Sequence, residues 1–351
     1  MSIEKMNFSV PSKEITYAEA IRLSIGKIMS EDESVLVYGL GVDDVKAMYG
    51  TLQDFPDIFG FNRCFDTPLS EDSLTGYGIG LAISGFKPIH VHQRTDFLLL
   101  CCNQLINMAA KVKYLSDGFN SCPFVVRAIT GRSWGQGSQH SQSFHSLFSN
   151  IPGLRVLTPS TPNDVYNTYL NVFSDSIPTL IVEHRMLYKT TGTVKLSANL
   201  PSISRISGGD DITICSISHM TLETQKAIKA LACMDISCDH FSVVNHSNLK
   251  LDEVLKSANK TGNLLIVDHG WLNSSIASTI HSRLNMMGFE GQVEMLGYAD
   301  TPCPTSKILE QFYYPSPDTI LHAIAHLLKL DQQNIQSLGV SPEISTFKGP
   351  F

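Results

Sequence analysis

The sequence has no cluster of basic residues, and charged residues of either sign are few. Lys and Arg number 26 against 33 Asp and Glu, which gives a formal net charge of −7. Because nucleic-acid phosphates bind clustered cations, this balance argues against a nucleic-acid partner. Long apolar runs are also missing. The longest run, over 97–106, contains Asn103 and Gln104 and is too short to span a bilayer, so no membrane segment is expected.

The patterns of secreted, disulfide-bonded proteins are absent as well. None of the eight cysteines forms a Cys-x-x-Cys pair, and most lie in apolar runs, which is typical of reduced thiols in a core. The first residues include acids and no apolar core, so no secretory signal is predicted. These features predict a cytoplasmic location, or the mitochondrial matrix in a eukaryote, although no transit peptide is visible.

Several common catalytic motifs are missing too. The sequence contains no P-loop, no Gly-x-Gly-x-x-Gly, no Gly-x-Ser-x-Gly and no His-Glu-x-x-His pattern. The glycines at 76, 78 and 80 have the wrong spacing for a dinucleotide fingerprint and lie within a predicted helix. These absences argue against nucleotide-hydrolysing, dinucleotide-binding, serine-hydrolase and zinc-protease classes.

With 351 residues, 43% of them hydrophobic, the chain is long enough for about two domains. Short apolar runs alternate with stretches of helical periodicity, which predicts α/β domains with parallel sheets flanked by helices. Over 189–210 Ser, Thr, Pro and Gly replace this periodicity, which predicts a linker. The expected parts are an N-terminal tail (1–13), a first domain (14–188), the linker (189–210), a smaller α/β domain (211–330) and a C-terminal tail (331–351).

Individual elements of the first domain are also predicted. Thr16 and Glu19 form a capping-box pattern before a helix. A second helix, over 74–84, is rich in glycine and alanine, which suggests close approach of another element or a ligand. Further expected elements are a long helix over 97–115 and strands at 35–38, 88–92, 123–129, 154–157 and 179–183.

Glu71 is the first candidate functional residue. It opens the glycine-rich helix directly after a short strand and a proline turn, within the segment 66–72. A carboxylate in the first helical turn is favoured by the helix dipole, and that stabilising role alone is one explanation. The other is a binding site, because α/β folds place their sites where strands end.

His140 is the second candidate. It lies in the glycine-containing loop 131–142, which follows a predicted strand, and its neighbours are small and polar. An imidazole there could bind or protonate an anionic or carbonyl substrate. The alternative is an exposed histidine in a flexible loop.

Other histidines give weaker signals. His90 and His92 share one face of a strand at a spacing that could bind metal, but no third ligand is identifiable, which favours core histidines with satisfied hydrogen bonds. His145 is expected to be structural. Asp268 and His269 follow a strand end, and the sequence assigns them no role.

Three motifs together resemble the beta subunits of thiamine-dependent 2-oxo acid dehydrogenases, the decarboxylating components of the pyruvate and branched-chain complexes. The motifs are DTPLSE (66–71), QLINMAAK (104–111) and SQHSQS (138–143). The match continues through PGLRVLTP (152–159) and VEHRMLY (182–188), and more sparsely through 214–218, 264–268 and 300–304. It covers about residues 14–328.

The resemblance implies a transketolase-like pyrimidine-binding domain followed by a transketolase C-terminal domain. It implies thiamine diphosphate held between this chain and an alpha-type chain, which supplies the Gly-Asp-Gly…Asn motif and most Mg²⁺ contacts, in an alpha2beta2 heterotetramer. The chain itself has no Gly-Asp-Gly. In this family a lipoyl acyltransferase can accept the acyl group, and backbone carbonyls near 155–183 can hold a structural K⁺.

The resemblance also implies roles for single residues. Glu71 matches the glutamate that bonds to N1′ of the aminopyrimidine, and His140 matches the histidine near the substrate carboxylate. Leu69 and Phe97 are expected to pack near the pyrimidine. Arg94 stands where family members carry an aromatic residue that stacks on it, and Arg can also stack on a π face.

Three departures from the family pattern distinguish this chain. Gly-Glu-Asp-Val after the first strand is here Gly39-Leu40-Gly41-Val42, which removes an acidic pair that contributes to cofactor contacts and proton communication. Arg94 or Thr95 replaces the stacking aromatic. The second-domain pattern Arg-x-Leu-x-Pro-Leu-Asp becomes 246–252, without its Arg and Pro. We therefore expect a divergent member with an unusual substrate or an altered proton relay.

The expected function is decarboxylation of a 2-oxo acid and transfer of the acyl fragment, together with the alpha-type chain. One alternative is a subunit of a split transketolase that moves ketol groups, although the SQHSQ motif favours the dehydrogenases. The other is a non-catalytic paralogue that binds or regulates a thiamine enzyme. The loss of the acidic pair and the change at Arg94 favour that paralogue, whereas retention of Glu71 and His140 argues against it.

Overall fold

A computed structural model describes residues 8–44, 47–132 and 135–331, together with Ile335 and Leu338. Contacts divide the chain into two compact units. The first comprises Met1–Thr130 and Phe148–Pro201, and the second comprises Gly131–Leu147 and Ser202–Phe351. Most of the predicted tails, 1–13 and 331–351, lies outside the described residues, but Ile335 and Leu338 pack against the core of the second unit.

The first unit is built on a parallel sheet. Its strands are β1 (Ile15–Thr16), β2 (Val35–Gly39), β3 (Cys64–Asp66), β4 (Lys87–His92), β5 (Val125–Thr130), β6 (Arg155–Leu157), β7 (Thr179–His184) and β8 (Thr191–Gly192). Strands β1 and β8 pair antiparallel with each other. The others form a six-stranded sheet in the order β3-β2-β4-β5-β7-β6, and every neighbouring pair is parallel, as the sequence predicted.

The helices of this part of the chain are α1 (Tyr17–Glu31), α2 (Ala47–Gly50), α3 (Phe55–Phe59), α4 (Glu71–Ile83), α5 (Val112–Leu115), α6 (His145–Ser149) and α7 (Pro162–Asn171). Helix α1 begins at the predicted capping box. The backbone N–H of Glu19 donates to Thr16 Oγ1 at 3.1 Å, and that of Thr16 donates to the Glu19 carboxylate at 2.8 Å. The local pattern was sufficient here because both partners lie within one turn.

The segment predicted as one helix over 97–115 is helical but irregular. It consists of a 3₁₀ segment (Thr95–Cys101), a π-helical turn (Gln104–Met108), a second 3₁₀ turn (Ala109–Lys111) and α5. At the start of the π turn the Gln104 side chain lies against Gly76 and donates to the Asp72 carboxylate at 3.4 Å. Packing against α4 thus accompanies the departure from regular geometry, which side-chain periodicity does not report.

The second unit has a mixed sheet. Its strands are β9 (Ile203–Ser207), β10 (Ile212–Ile217), β11 (Cys238–Val243), β12 (Asn263–Trp271) and β13 (Gln292–Tyr298), and its helices are α8 (Met220–Leu231), α9 (Asp252–Thr261), α10 (Ile276–Met286), α11 (Lys307–Glu310) and α12 (Pro317–Leu327). The strand order is β13-β12-β10-β11-β9. Strand β9 lies within the segment predicted as a linker and pairs antiparallel with β11, whereas the other pairs are parallel.

Both faces of this second sheet are covered by helices. Ile212 and Ile214 of β10 join a core with residues of α8 and α12. Cys215 and Ile217 of the same strand join a separate core with residues of α9 and α10. Strands buried on both faces read as nearly continuous apolar runs, which explains why their positions could be predicted.

A buried ion pair joins β5 to β7 in the first unit. Arg127 Nε and Nη2 donate to the two carboxylate oxygens of Glu183 at 2.7 and 2.9 Å, and both side chains are fully buried. The hydroxyl of Tyr188 donates to Glu183 at 2.5 Å, and that of Tyr169 also donates to it. Burial alone would lower the pKa of Arg127, but the Glu183 charge raises it above its ordinary value. Such a buried pair keeps its charges because the two groups bond directly to each other, although Arg127 Nη1 has no hydrogen-bond partner among the described residues.

All eight cysteines lie in described segments and are free. Six are buried, and burial raises the pKa of a thiol such as that of Cys215 to about 12, as expected of unreactive core residues. None of the helices in the described part of the chain combines the length and the apolar character that crossing a bilayer requires.

Two glycines of α4 lead to opposite stability predictions. A Cβ on Gly78 would overlap the Tyr38 hydroxyl and come within 2.5 Å of Phe124, whereas a Cβ on Gly80 meets no described atom within 4 Å. We expect Gly78→Ala to lower the free energy of unfolding by about 1–3 kcal/mol through overpacking. Gly80→Ala should raise it by about 0.5–1 kcal/mol through lost chain entropy. Urea denaturation of both variants tests the contrast, and equal changes would contradict the packing described.

Candidate functional site

The carboxyl ends of β2, β3 and β4 lie at the same edge of the first sheet, because these neighbouring strands are parallel. Three connecting segments begin there. The first starts after Gly39, the second runs from Asp66 to Glu71 at the start of α4, and the third starts after His92. All four residues expected to contact the cofactor in this unit, Leu69, Glu71, Arg94 and Phe97, belong to the second and third segments.

Asp66 organises the segment after β2. Its carboxylate accepts hydrogen bonds from the backbone N–H groups of Val42 and Asp43, the latter at 3.2 Å. The backbone N–H of Thr67 in turn donates to the Gly39 carbonyl at 3.2 Å. The turn that contains Leu40, where the family's acidic pair is absent, is therefore held by a carboxylate from the neighbouring strand.

Asp43 and Asp44 are acidic residues at this edge that the motif comparison missed. They follow the Leu40–Gly41 position by three residues and are exposed. Burial, and then the nearby Asp66 carboxylate, raise the pKa of Asp43. A search for the acidic pair three residues further along the sequence would have found them.

Glu71 is the first residue of α4 and is half-buried. Its carboxylate has no hydrogen-bond or ion-pair partner among the residues that the structure describes, although its backbone carbonyl accepts from Thr75 Oγ1 at 2.7 Å. The helix dipole favours a negative charge at this position. A half-buried carboxylate without a protein partner is available to a ligand.

Leu69 and Phe97 provide exposed apolar surface in the same two segments. Leu69 is 76% exposed and Phe97 is 36% exposed. Large apolar side chains at the rim of a sheet, next to a carboxylate, suit a flat heterocycle that offers both a hydrophobic face and a nitrogen. The resemblance expects both side chains to pack near the pyrimidine, and their exposure leaves this apolar surface open to a ligand.

Arg94 is half-buried directly after β4. Burial lowers the pKa of its guanidinium, while Tyr49 and Asp96 raise it. Arg185 lies over the ring of Tyr49, with its guanidinium carbon 4.3 Å from the ring centre. Two cationic side chains thus approach this part of the unit; Arg185 lies in the VEHRMLY motif (182–188), but the sequence assigned it no role.

His90 and His92 lie side by side on one face of β4, with ring centres 4.3 Å apart, and both are buried. His90 stacks on Tyr38 at 4.6 Å. One nitrogen of each ring, Nδ1 of His90 and Nε2 of His92, has no hydrogen-bond partner within the described part of the chain. They are core histidines, as expected, but not fully hydrogen-bonded ones. Within the described ranges no three His, Cys, Asp or Glu residues are grouped as a metal site would require.

His140 lies in the segment 131–147, which belongs to the second unit. It follows a 3₁₀ turn (Gly137–Gln139), donates its backbone N–H to the Gly137 carbonyl at 3.4 Å, and is half-buried. Ser133 and Trp134 of the predicted loop lie outside the described residues. Glu71 belongs to the first unit and His140 to the second, so the two candidates sit in different units.

Two family models match the chain over most of its length. Residues 13–191 match the transketolase pyrimidine-binding domain, and residues 202–320 match the transketolase C-terminal domain. Between them these matches include all five candidate site residues, with Glu71 and His140 both inside the first.

Curated relatives match nearly end to end. The acetoin:2,6-dichlorophenolindophenol oxidoreductase subunit beta of Cupriavidus necator is 32% identical, covering 91% of this chain and 98% of the relative. The 2-oxoisovalerate dehydrogenase subunit beta of Bacillus subtilis is 30% identical, with 89% and 98% covered. The pyruvate dehydrogenase E1 component subunit beta of Rickettsia bellii is 28% identical, with the same coverage. All three are beta subunits of oxidoreductases.

A solved structure shares the fold. A split gene transketolase, described as an inactive beta4 tetramer, aligns with a TM-score of 0.69 and covers 90% of this chain and 99% of its own. Its sequence identity is 18%, so the likeness concerns the fold alone. It agrees with the two sheets described above and with the predicted fold class.

The buried His92 predicts a pH dependence of stability. Burial lowers the pKa of His92 to about 4, whereas an unfolded histidine titrates near 6.5. The unfolded chain therefore binds the proton first, so stability is full above about pH 6.5 and falls as the pH drops toward about 4. The loss attributable to this group is on the order of 3 kcal/mol.

We expect His92→Phe to reduce that loss, measured by urea denaturation at several pH values between 4 and 7. His326→Phe, at an exposed histidine of α12, serves as the matched control and should leave the pH profile unchanged. A His92→Phe profile that parallels the wild type would contradict the assignment.

Proposed function

This chain belongs to the family that joins a transketolase pyrimidine-binding domain to a transketolase C-terminal domain, and we propose that it is the beta-type subunit of a thiamine diphosphate-dependent enzyme. With an alpha-type chain it decarboxylates a 2-oxo acid and passes on the acyl fragment. The names of the relatives support this function, since they are beta subunits of pyruvate, 2-oxoisovalerate and acetoin oxidoreductases. The observation that carries it is the half-buried Glu71 carboxylate, which has no protein partner among the described residues.

Glu71 holds the aminopyrimidine ring of the cofactor by sharing a proton with its N1′ nitrogen. A carboxyl group at this position can give and take that proton because it is half-buried and not bonded within the described chain. When bound, thiamine diphosphate supplies an electron sink that makes cleavage of a carbon–carbon bond beside a carbonyl accessible. Leu69 and Phe97 cover the apolar parts of the ring, and the Arg94 guanidinium stacks on its face.

His140 orients the substrate by binding its carboxylate, or it protonates the substrate. The loop position, half-buried and with a polar ring, suits an anionic group that must enter and leave.

The alpha-type chain supplies Mg²⁺ and the diphosphate contacts. In this proposal that chain binds the Mg²⁺–diphosphate with its Gly-Asp-Gly…Asn motif, which this sequence does not contain. Exposed apolar side chains of the first unit suit a large subunit interface, and in this proposal the assembly is an alpha2beta2 heterotetramer. They include Leu99, Leu100, Met108, Tyr114, Leu115 and Phe119. A lipoyl acyltransferase as the acceptor and a structural K⁺ near 155–183 complete the proposal.

The function is tested by assaying the complex of this chain with its alpha-type partner, with thiamine diphosphate and Mg²⁺. Release of CO₂ from 2-oxo acids supports the proposal. Ketol transfer from sugar phosphates without decarboxylation would replace it by the split-transketolase alternative. If calorimetry shows no saturable binding of thiamine diphosphate, the result would favour the non-catalytic paralogue. Acetoin is included as a substrate because one relative is named for it.

Glu71→Gln should lower kcat by about 10²–10⁴-fold, because the amide cannot exchange a proton with the ring nitrogen. Asp72→Asn is the matched control. It lies in the same helical turn, is exposed and pairs with Gln104, so its kcat should stay within about twofold of wild type. Near-wild-type turnover of Glu71→Gln would rule out the role proposed for this residue.

Arg94→Ala should weaken thiamine diphosphate binding on the order of tenfold, as expected from the loss of a partly desolvated cation–π contact. Arg94→Phe restores a ring and should bind within about threefold of wild type. Isothermal calorimetry of the assembled complex measures both. Equal affinity of wild type and Arg94→Ala would show that the guanidinium does not stack on the cofactor.

A further inference from the structure

The segment 131–147, which carries His140, is attached to the second unit on both sides of that histidine. On the N-terminal side Arg132 Nη2 donates to Glu223 of α8 at 3.0 Å. On the C-terminal side the Tyr314 hydroxyl donates to the Ser141 carbonyl at 3.4 Å. At Gly137, where φ is +68°, a Cβ would come within 2.5 Å of Thr305, so only glycine fits. These contacts limit the positions that the segment can take.

Near its C-terminal end the segment is also held by a buried hydrogen-bonded network of three polar side chains, Ser143, His145 and Asp268. His145 Nε2 lies 2.9 Å from Asp268 Oδ1 of β12, and His145 Nδ1 lies 2.8 Å from Ser143 Oγ. The other oxygen of Asp268 accepts the backbone N–H of Ala277 in α10 at 2.9 Å. Ser143, His145 and Asp268 are 5%, 1% and 0% exposed. The histidine and the aspartate are 123 residues apart in the sequence.

The Asp268 carboxylate fixes the direction of the two hydrogen bonds that it makes. A carboxylate only accepts, so Asp268 receives Nε2–H of His145 on one oxygen and the Ala277 N–H on the other. In a neutral imidazole Nδ1 then accepts from the Ser143 hydroxyl. His246 packs against His145 with ring centres 5.4 Å apart, and burial followed by His145 lowers the pKa of His246. Because these hydrogen bonds are buried, the network of Asp268, His145 and Ser143 restrains Ser143, which is three residues from His140.

We propose that His145 and Asp268 are positioning residues for the reaction: they fix residues 135–147 on the second unit so that His140 meets the substrate in one orientation. This inference rests on the role proposed above for His140. His145 is the first residue of α6, where the segment returns to regular structure, so its attachment sets the end point of the segment. Small displacements of a substrate-orienting group are costly, and an error of about 1 Å can reduce a rate about 10²-fold.

The test uses the assembled complex and the variants His145→Ala, Ser143→Ala and Asp268→Asn. His145→Ala should lower kcat by about 10–100-fold and leave the cofactor affinity within about threefold, because the cofactor contacts lie elsewhere. Hydrogen exchange at the amides of 137–142 should accelerate in the same variant. Ser143→Ala removes one end of the network and should give a smaller change in the same direction, which keeps the test valid if His145→Ala does not fold.

Asp268→Asn distinguishes positioning from a need for charge. The amide can accept the Ala277 N–H and donate to His145 Nε2, whose ring then donates from Nδ1 to Ser143. All three hydrogen bonds can therefore form, with donor and acceptor exchanged in the two that involve His145. We expect kcat within about fivefold of wild type and exchange unchanged. His326→Gln is the matched control, since it breaks an exposed His–Glu294 pair of 2.9 Å in the same unit and should change neither readout.

The outcomes separate the two proposals. A wild-type complex that is inactive on every substrate class would overturn the proposed function, whatever the exchange data show. An active wild type whose kcat is unaffected by His145→Ala and Ser143→Ala would overturn only the positioning role. Faster exchange without a change in kcat would also overturn it, because the segment would then be attached without orienting His140.

Discussion

The parallel pairing of neighbouring strands is the constraint on which the candidate site depends. Parallel strands carry all their carboxyl ends to one edge, so short segments from distant parts of the chain emerge side by side. In the first unit that edge collects Asp66, Glu71 and Arg94 from the ends of β3 and β4. The buried Arg127–Glu183 pair then holds the next strands, β5 and β7, in register, and β5 leads directly into the segment that carries His140.

Much of the fold could be predicted because its causes are local. The Thr16–Glu19 cap and the apolar strands depend on neighbours within a few residues, and they were placed correctly. The π turn at 104–108, the edge strand β9 within 189–210 and the pairing of His145 with Asp268 depend on contacts between distant segments. No spacing in a single sequence reports which distant segments meet, so these features could not be read from it.

The candidate residues divide in the same way. Glu71 was recognisable because a carboxylate that opens a glycine-rich helix is a local pattern, and its missing protein partner is what the structure adds. The acidic pair absent at Leu40–Gly41 is followed by Asp43 and Asp44, and the turn is held by Asp66 from another strand.

The path of the chain between the units has a consequence for dissecting the protein. The backbone leaves the first unit after Thr130, re-enters it at Phe148 and leaves again after Pro201. Cutting near residue 201 would therefore not release a self-sufficient N-terminal half. That fragment would keep Arg132 and His145 but lose Glu223 and Asp268, which would leave buried polar groups unsatisfied. Segments of the two units alternate along the sequence, with junctions after residues 130, 147 and 201. An exchange of one unit between relatives must therefore keep three junctions intact rather than one.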